Sequence, residues 1–244
     1  MCLGCFILKR LLSVILSLIL VFGCSISANA KEKTVSSECD ISDIDVPYNT
    51  VETNAAIGQT LDIKAKSVIL MECNTGKILY ESNSDEKLAP ASITKIMSLL
   101  LVMEAIDRKE LSLETVITAS EHACSMGGSQ IWLEPGETMT VDDLLKATVI
   151  ASANDATVAL GEAVSGSEEA FVDAMNKKAA TLKMEDTHFV NCSGLDAEGH
   201  VSSAYDIAVM SCELMKYDLI KKYTTIWMDT LRNGTSELVN TNKL

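Results

Sequence analysis

The run "LAPASITKIMSLLLVMEAI", Leu88 to Ile106, limits what this chain can fold into more than any other stretch. Ile93, Ile96, Met97, Leu99, Leu100, Leu101, Val102 and Met103 make it apolar on nearly every face, which predicts a buried helix. Yet Lys95 lies inside it, and a buried lysine is costly unless something nearby pairs with it. Ser92 comes three residues earlier, so on a helix the two side chains share a face one turn apart. Pro90 just upstream suits a helix start. Ser92 then falls in the first turn, where free backbone N–H groups and the helix dipole favour developing negative charge. A lysine desolvated among Ile and Leu has its pKa pushed down and can serve as a base near neutral pH, which a serine nucleophile needs. The same two residues also fit a helix-capping serine and a snorkelling lysine, and S-x-x-K alone does not choose between the readings.

The rest of the composition narrows the class. The chain has 244 residues, enough for one large domain or two small ones. It is 48% hydrophobic and 5% aromatic, so the core is aliphatic. A formal charge of −14 argues against a nucleic-acid partner, which needs a basic face. The acidic residues are scattered and read as a solvated surface. Lys9 and Arg10, the apolar run Leu11 to Phe22 and Ala28-Asn29-Ala30 follow the order of a secretory signal peptide. The apolar run is short for a membrane span, so residues 1–30 are expected to be a signal peptide cleaved after Ala30, giving an extracytoplasmic protein. Lipidation at Cys24 is the alternative, with Phe22 fitting that pattern poorly. Beyond Ala30 the cysteines are Cys39, Cys73, Cys124, Cys192 and Cys212, with no metal-site spacing. They are expected to act as small buried hydrophobes, with one disulfide possible and its pairing open.

Residues 31–60 show little periodicity and read as a loose leader before a domain spanning 61–244. Ser67–Glu72 and Ile78–Glu81 are β-prone runs around Asn74-Thr75-Gly76, a hairpin signal with glycine where positive φ is needed. Helical patterns follow at Ser92–Asp107, Val141–Ser152, Asp155–Val164, Glu168–Leu182 and Ala204–Lys216, punctuated by Gly127-Gly128 and Pro135-Gly136. The final "DTLRNGTSELVNTNKL" returns to turn and strand chemistry around Asn233-Gly234. A hairpin, a helical middle and a return to strand predict an α+β fold.

A second polar cluster, Ser152-Ala153-Asn154, falls between two helical patterns. A hydroxyl there can relay a proton, and an asparagine amide can both donate to and accept from a peptide group. Capping is the competing use, and Asp155 fits a plain cap. The S-x-x-K and S-x-N pair together resembles the serine D-alanyl-D-alanine carboxypeptidases, the low-molecular-mass penicillin-binding proteins of peptidase family S11. The likeness runs from about Ala65 to the end, through "LAPASITKIM", "GSQIWLEPGETMTVDDLLKATVIASANDATVALGEAVSGSEEAFVDAMN" and "THFVNCSGLDAEGHVSSAYDIAVM". It implies a penicillin-binding-protein/β-lactamase-like fold, with a helical cluster beside a short antiparallel sheet. It also implies an enzyme removing the terminal D-alanine from peptidoglycan stem peptides through an acyl-enzyme. Ser92 would be the nucleophile, Lys95 its general base, Ser152 a proton relay, and Asn154 a substrate-backbone ligand that also positions Lys95. β-Lactam antibiotics would acylate the same serine, and no metal or cofactor is implied.

His122, His188 and His200 lie in no H-E-x-x-H or G-x-S-x-G context. His200, in "GLDAEGHVSS", is expected to line the cleft or support it, and the other two to have surface or packing roles. The family's third motif, K-T-G on a strand walling the cleft, does not occur in these residues; Thr75-Gly76-Lys77 has the wrong order and Asn233-Gly234-Thr235 lacks the lysine. The expectation is a chain truncated before that strand, without the family's C-terminal membrane anchor and with little activity alone. Losing one oxyanion donor typically costs about 10²–10³ in rate. Two alternatives stay open: a weakly active or inactive peptidoglycan- or β-lactam-binding fragment, and a β-lactamase-like serine hydrolase, for which no deacylating glutamate is placed.

Overall fold

The computed structural model describes residues 63–240. The proposed signal peptide, the whole leader and Cys39 lie outside them. Among the described residues, six short strands and seven α-helices follow in the order β1 (Val68–Met71), β2 (Ile78–Ser82), α1 (Lys95–Asp107), β3 (Val116–Thr118), α2 (Glu121–Cys124), β4 (Thr138–Thr140), α3 (Val141–Ile150), α4 (Asn154–Ser165), α5 (Glu168–Thr181), α6 (Ala204–Leu214), α7 (Asp218–Thr224), β5 (Met228–Leu231) and β6 (Ser236–Val239). The strands pair as three separate antiparallel ribbons, β1–β2, β3–β4 and β5–β6, where a single short sheet was expected.

The apolar run behaves as its composition dictates. Met97, Leu100, Val102, Met103 and Ala105 of α1 are sealed from solvent, and α1 packs on α4, α5 and α6. Its opening differs from the expected α-helix beginning at Ser92. Residues Ala91–Thr94 form a 3-10 turn, and the α-helix proper starts at Lys95. The tighter winding eclipses side chains three residues apart, which suits the Ser92–Lys95 spacing.

Helix ends follow local chemistry. Thr140, Ser167 and Ser203 accept hydrogen bonds from the backbone N–H groups of Asp143, Ala170 and Asp206, capping α3, α5 and α6. Asp155 does not cap α4. The residue before that helix is Ala153, without a side-chain cap, and Asp155 is fully buried in the first turn. The β3–β4 ribbon and α7 have no counterpart among the sequence patterns. Both elements are too short to show a period, and they form because partners hold them: Val141 N–H bonds to Thr115 C=O, and Tyr223 O–H donates to Asp142 at 2.7 Å.

The first hairpin turns on Glu72. Its carboxylate accepts from Thr75 Oγ1, the backbone N–H groups of Asn74 and Thr75, and Asn74 Nδ2. The Thr75 hydroxyl contributes most to holding the Glu72 pKa down at about 2. This turn carries Cys73, which is joined to Cys212 of α6 across 139 residues of chain. The cysteines are therefore not all passive hydrophobes; Cys192 is a buried free thiol and Cys124 a half-buried one. A cross-link closing so long a loop is worth about 2–5 kcal/mol. Reduction by a dithiol is expected to lower the thermal midpoint by roughly 5–15 °C. An unchanged melting curve after verified reduction would contradict this.

Candidate active site

Three segments meet at the amine of Lys95, which is 4% exposed. Lys95 Nζ donates to Asn154 Oδ1 at 2.6 Å and to the Ser193 carbonyl at 2.6 Å, and lies 3.4 Å from Ser92 Oγ. The sequence-derived pair is thus side by side, and Asn154 lies against it from the start of α4. Ser152 comes two residues before Asn154 in the chain, half-buried and at φ 56°. A non-glycine residue at positive φ costs of order 1–3 kcal/mol and persists where its surroundings over-determine it. Ala91, next to the nucleophile candidate, is in the same condition at φ 49°.

The Asn154 amide has its orientation set from both ends. Nδ2 donates to the Gly127 carbonyl at 2.6 Å, leaving Oδ1 to face Lys95, while the Asn154 backbone N–H donates to Ser129 C=O at 2.7 Å. Gly128 explains how the loop comes so close, because a Cβ at its φ of +83° would lie 2.8 Å from Asn154 Nδ2. Asp155 then fastens the far end of that loop. Its carboxylate accepts from the N–H groups of Ile131 and Leu133, which explains a buried aspartate better than capping does. Arg232, from the β5–β6 turn, donates to the carbonyls of Ile131 and Trp132 and forks onto Glu137, holding the Glu137 carboxyl below the usual carboxylate range.

The other wall is the loop 190–195. Asn191 Oδ1 accepts from the N–H groups of Ser193, Gly194 and Leu195, and Asn191 Nδ2 donates to Leu195 C=O, so one side chain shapes the whole turn. Ser98, one helical turn after Lys95, donates to Cys192 C=O at 2.6 Å. Consecutive carbonyls of this loop are therefore taken by α1 side chains. Burial pushes the Cys192 thiol pKa well up, so it is an inert packing group. Gly194 touches the turn that carries Ser92; a Cβ there would lie 1.9 Å from the Ala91 carbonyl oxygen.

The histidines differ from one another. His122 pairs with Glu168 at 2.6 Å on the surface, and His188 is exposed. His200 is buried, lies on a groove with Ala91, Gly194, Asp196 and Glu198, and contacts Thr94. Sequence reasoning missed Asn191, Ser193 and Gly194; the Asn-x-x-Gly spacing of "NCSG" was the available turn signal. Gly194→Ala is expected to cost about 3 kcal/mol or more, because backbone meets backbone and no side chain can yield. Thermal unfolding within about 1 °C of the parent would show that the two segments do not need that contact.

Three comparisons bear on this arrangement. Residues 51–244 match the family profile described as D-alanyl-D-alanine carboxypeptidase, peptidase S11. The chain is 56% identical over 184 residues to D-alanyl-D-alanine carboxypeptidase DacF of Bacillus subtilis (strain 168), covering 74% of this chain and 47% of the relative. It is 38% identical to D-alanyl-D-alanine carboxypeptidase DacC of Escherichia coli (strain K12), over 70% of this chain and 45% of that protein. The chain thus spans about half the length of the curated relatives it matches. Among solved structures, penicillin binding protein 6B from Escherichia coli superposes with a TM-score of 0.71 at 33% identity, over 76% of this chain and 60% of that one. Penicillin-Binding Protein D2 from Listeria monocytogenes, in its ampicillin-bound form, gives 0.66 at 30% identity over 76% and 75%. A match across residues 51–244, together with an α+β framework shared with penicillin-binding proteins, places the chain in the D-alanyl-D-alanine carboxypeptidase family.

Proposed function

We propose that this chain carries the acyl-transfer centre of a serine D-alanyl-D-alanine carboxypeptidase acting on peptidoglycan stem peptides outside the cytoplasmic membrane, with residues 1–30 as its export signal and 61–244 as the catalytic part. One observation carries the reading: a buried amine held by two short hydrogen bonds beside a serine hydroxyl. A neutral amine has two hydrogens and one lone pair. With Asn154 Oδ1 and Ser193 C=O accepting its two hydrogens, such an amine would keep its lone pair for the proton of Ser92 Oγ, 3.4 Å away, as a general base requires.

Chemistry follows from that orientation. Ser92 Oγ attacks the carbonyl between the two terminal D-alanines as its proton passes to Lys95. The oxyanion develops next to the Ser92 backbone N–H in the 3-10 turn, which serves as one donor. Ser152, in the α3–α4 connection, relays the proton that Lys95 took from Ser92 to the departing D-alanine amine. Asn154 keeps Lys95 in place and offers its second amide hydrogen to the substrate backbone. Water then attacks the ester on Ser92 and frees the shortened peptide. A β-lactam presents a strained amide to the same serine. The ampicillin-bound structure of the Listeria monocytogenes protein supports extending β-lactam binding to this chain.

Incubation with a penicillin followed by intact-mass and peptide mass spectrometry tests the assignment. The expected product is one penicilloyl adduct on the peptide containing Ser92, absent in Ser92→Ala and reduced by about 10³-fold or more in rate in Lys95→Ala. A cooperatively folded chain that takes up no adduct, or an adduct that survives Ser92→Ala, would overturn the proposal.

A further inference from the structure

Thr94 lies between the proposed nucleophile and its base in sequence, and it is fully buried. Its Oγ1 meets His200 Nε2 at 2.7 Å, across 106 residues of chain. The other ring nitrogen, Nδ1, accepts the backbone N–H of Val190 at 2.9 Å. A backbone N–H can only donate, so Nδ1 presents a lone pair. The ring proton therefore belongs on Nε2, which donates to Thr94 Oγ1. An imidazolium would set two N–H groups against each other at Val190.

The ring thereby joins two bodies. One is the turn Ala91–Thr94, which carries Ser92. The other is the loop that begins at Val190 and ends in the Asn191-ordered turn, whose Ser193 carbonyl takes a hydrogen bond from Lys95. The side of Phe189 lies against the imidazole, with ring centroids 5.9 Å apart and planes at 59°, which limits its rotation. A displacement at His200 thus changes the distance between the serine and the carbonyl that directs its base. Elsewhere around the ring stand His188, Asp196 and Glu198, and Lys95 follows Thr94 in the chain. Burial, with a smaller push from His188 and opposed by Asp196, keeps the His200 pKa below the ordinary histidine value.

We propose that His200, as the neutral ring with its proton on Nε2, is a positioning residue for acyl transfer at Ser92, clamping Thr94 to the loop that orients Lys95. This rests on the assignment of Ser92 and Lys95 above. The sign of the pH effect follows. The clamp is intact above the usual histidine range, and it is lost as pH falls through the lowered pKa, when Nδ1 gains a proton and Val190 loses its acceptor.

Acylation by a fluorescent penicillin, followed against pH in the full chain, separates this role from simple packing. The variants are His200→Phe, His200→Gln, Thr94→Val and Ser92→Ala, each with its thermal midpoint measured. His200→Phe keeps the ring volume without either hydrogen bond. It is expected to acylate about 10²-fold more slowly while the affinity of the non-covalent complex changes little. His200→Gln supplies a non-titrating donor towards Thr94 and is expected to recover to within about tenfold of the parent. In the parent the acid limb should steepen by one further proton at low pH; in His200→Gln it should not. Thr94→Val should match His200→Phe in rate. Acylation by His200→Phe within about twofold of the parent overturns the proposal, as does an extra proton dependence that survives in His200→Gln. Should His200→Phe not unfold cooperatively, the pH profiles of His200→Gln and Thr94→Val decide on the same criteria. Labelling that persists in Ser92→Ala, or is absent in the parent, instead overturns the assignment on which the clamp rests.

Discussion

The amine of Lys95 is the point on which the rest of the molecule is organised. An ammonium or amine sealed within an aliphatic helix needs fixed partners, and the fold brings them from segments far apart in sequence: Asn154 at 59 residues and Ser193 at 98. Each partner needs support of its own. Asn154 is oriented by Gly127 C=O and Ser129 C=O, whose loop is fastened by Asp155 and Arg232; Ser193 is presented by a turn that Asn191 shapes. The polar network runs from the buried amine outward to the half-buried ion pair Arg232–Glu137.

Rigid loops of this kind carry local cost. Ala91, Trp132 and Ser152 sit at positive φ without being glycines, and all three belong to segments that frame the site. Such residues persist where hydrogen bonds on either side leave no alternative. Trp132 shows this directly: its two neighbours donate their N–H groups to Asp155, and its own carbonyl accepts from Arg232, so the backbone is pinned while the indole is left facing solvent. The core supplies the opposing stability. Helices α1, α3, α4, α5 and α6 surround one aliphatic interior, and the Cys73–Cys212 link ties the first hairpin to the same body.

Much of the framework was legible in the sequence because long periodic segments report their own burial. The helices α1, α3, α4, α5 and α6 and the first and last hairpins lie where the patterns put them, with ends displaced by at most three residues. The β3–β4 ribbon and α7 were not legible, since three residues per strand and two helical turns hold no period to read. Asp155 was misread as a cap for a related reason: the first-turn position fits a cap, and nothing local announces that Ile131 and Leu133 will meet it from 22 to 24 residues away. The cysteine pairing was open on the same grounds, because Cys73 and Cys212 become neighbours only once α6 packs against β1.

The chain by itself determined which chemistry was available: a serine three residues before a lysine in a helix too apolar to face water, and a second Ser-x-Asn group between helices. Those are one-dimensional facts about residue type and spacing. Only the tertiary structure decided which carbonyl Lys95 would meet, that Asn191 would build the turn presenting it, and that His200 would reach Thr94. Each of those contacts is a direction in space, set by how α1, α4 and the 190–195 loop pack, and packing depends on every segment at once.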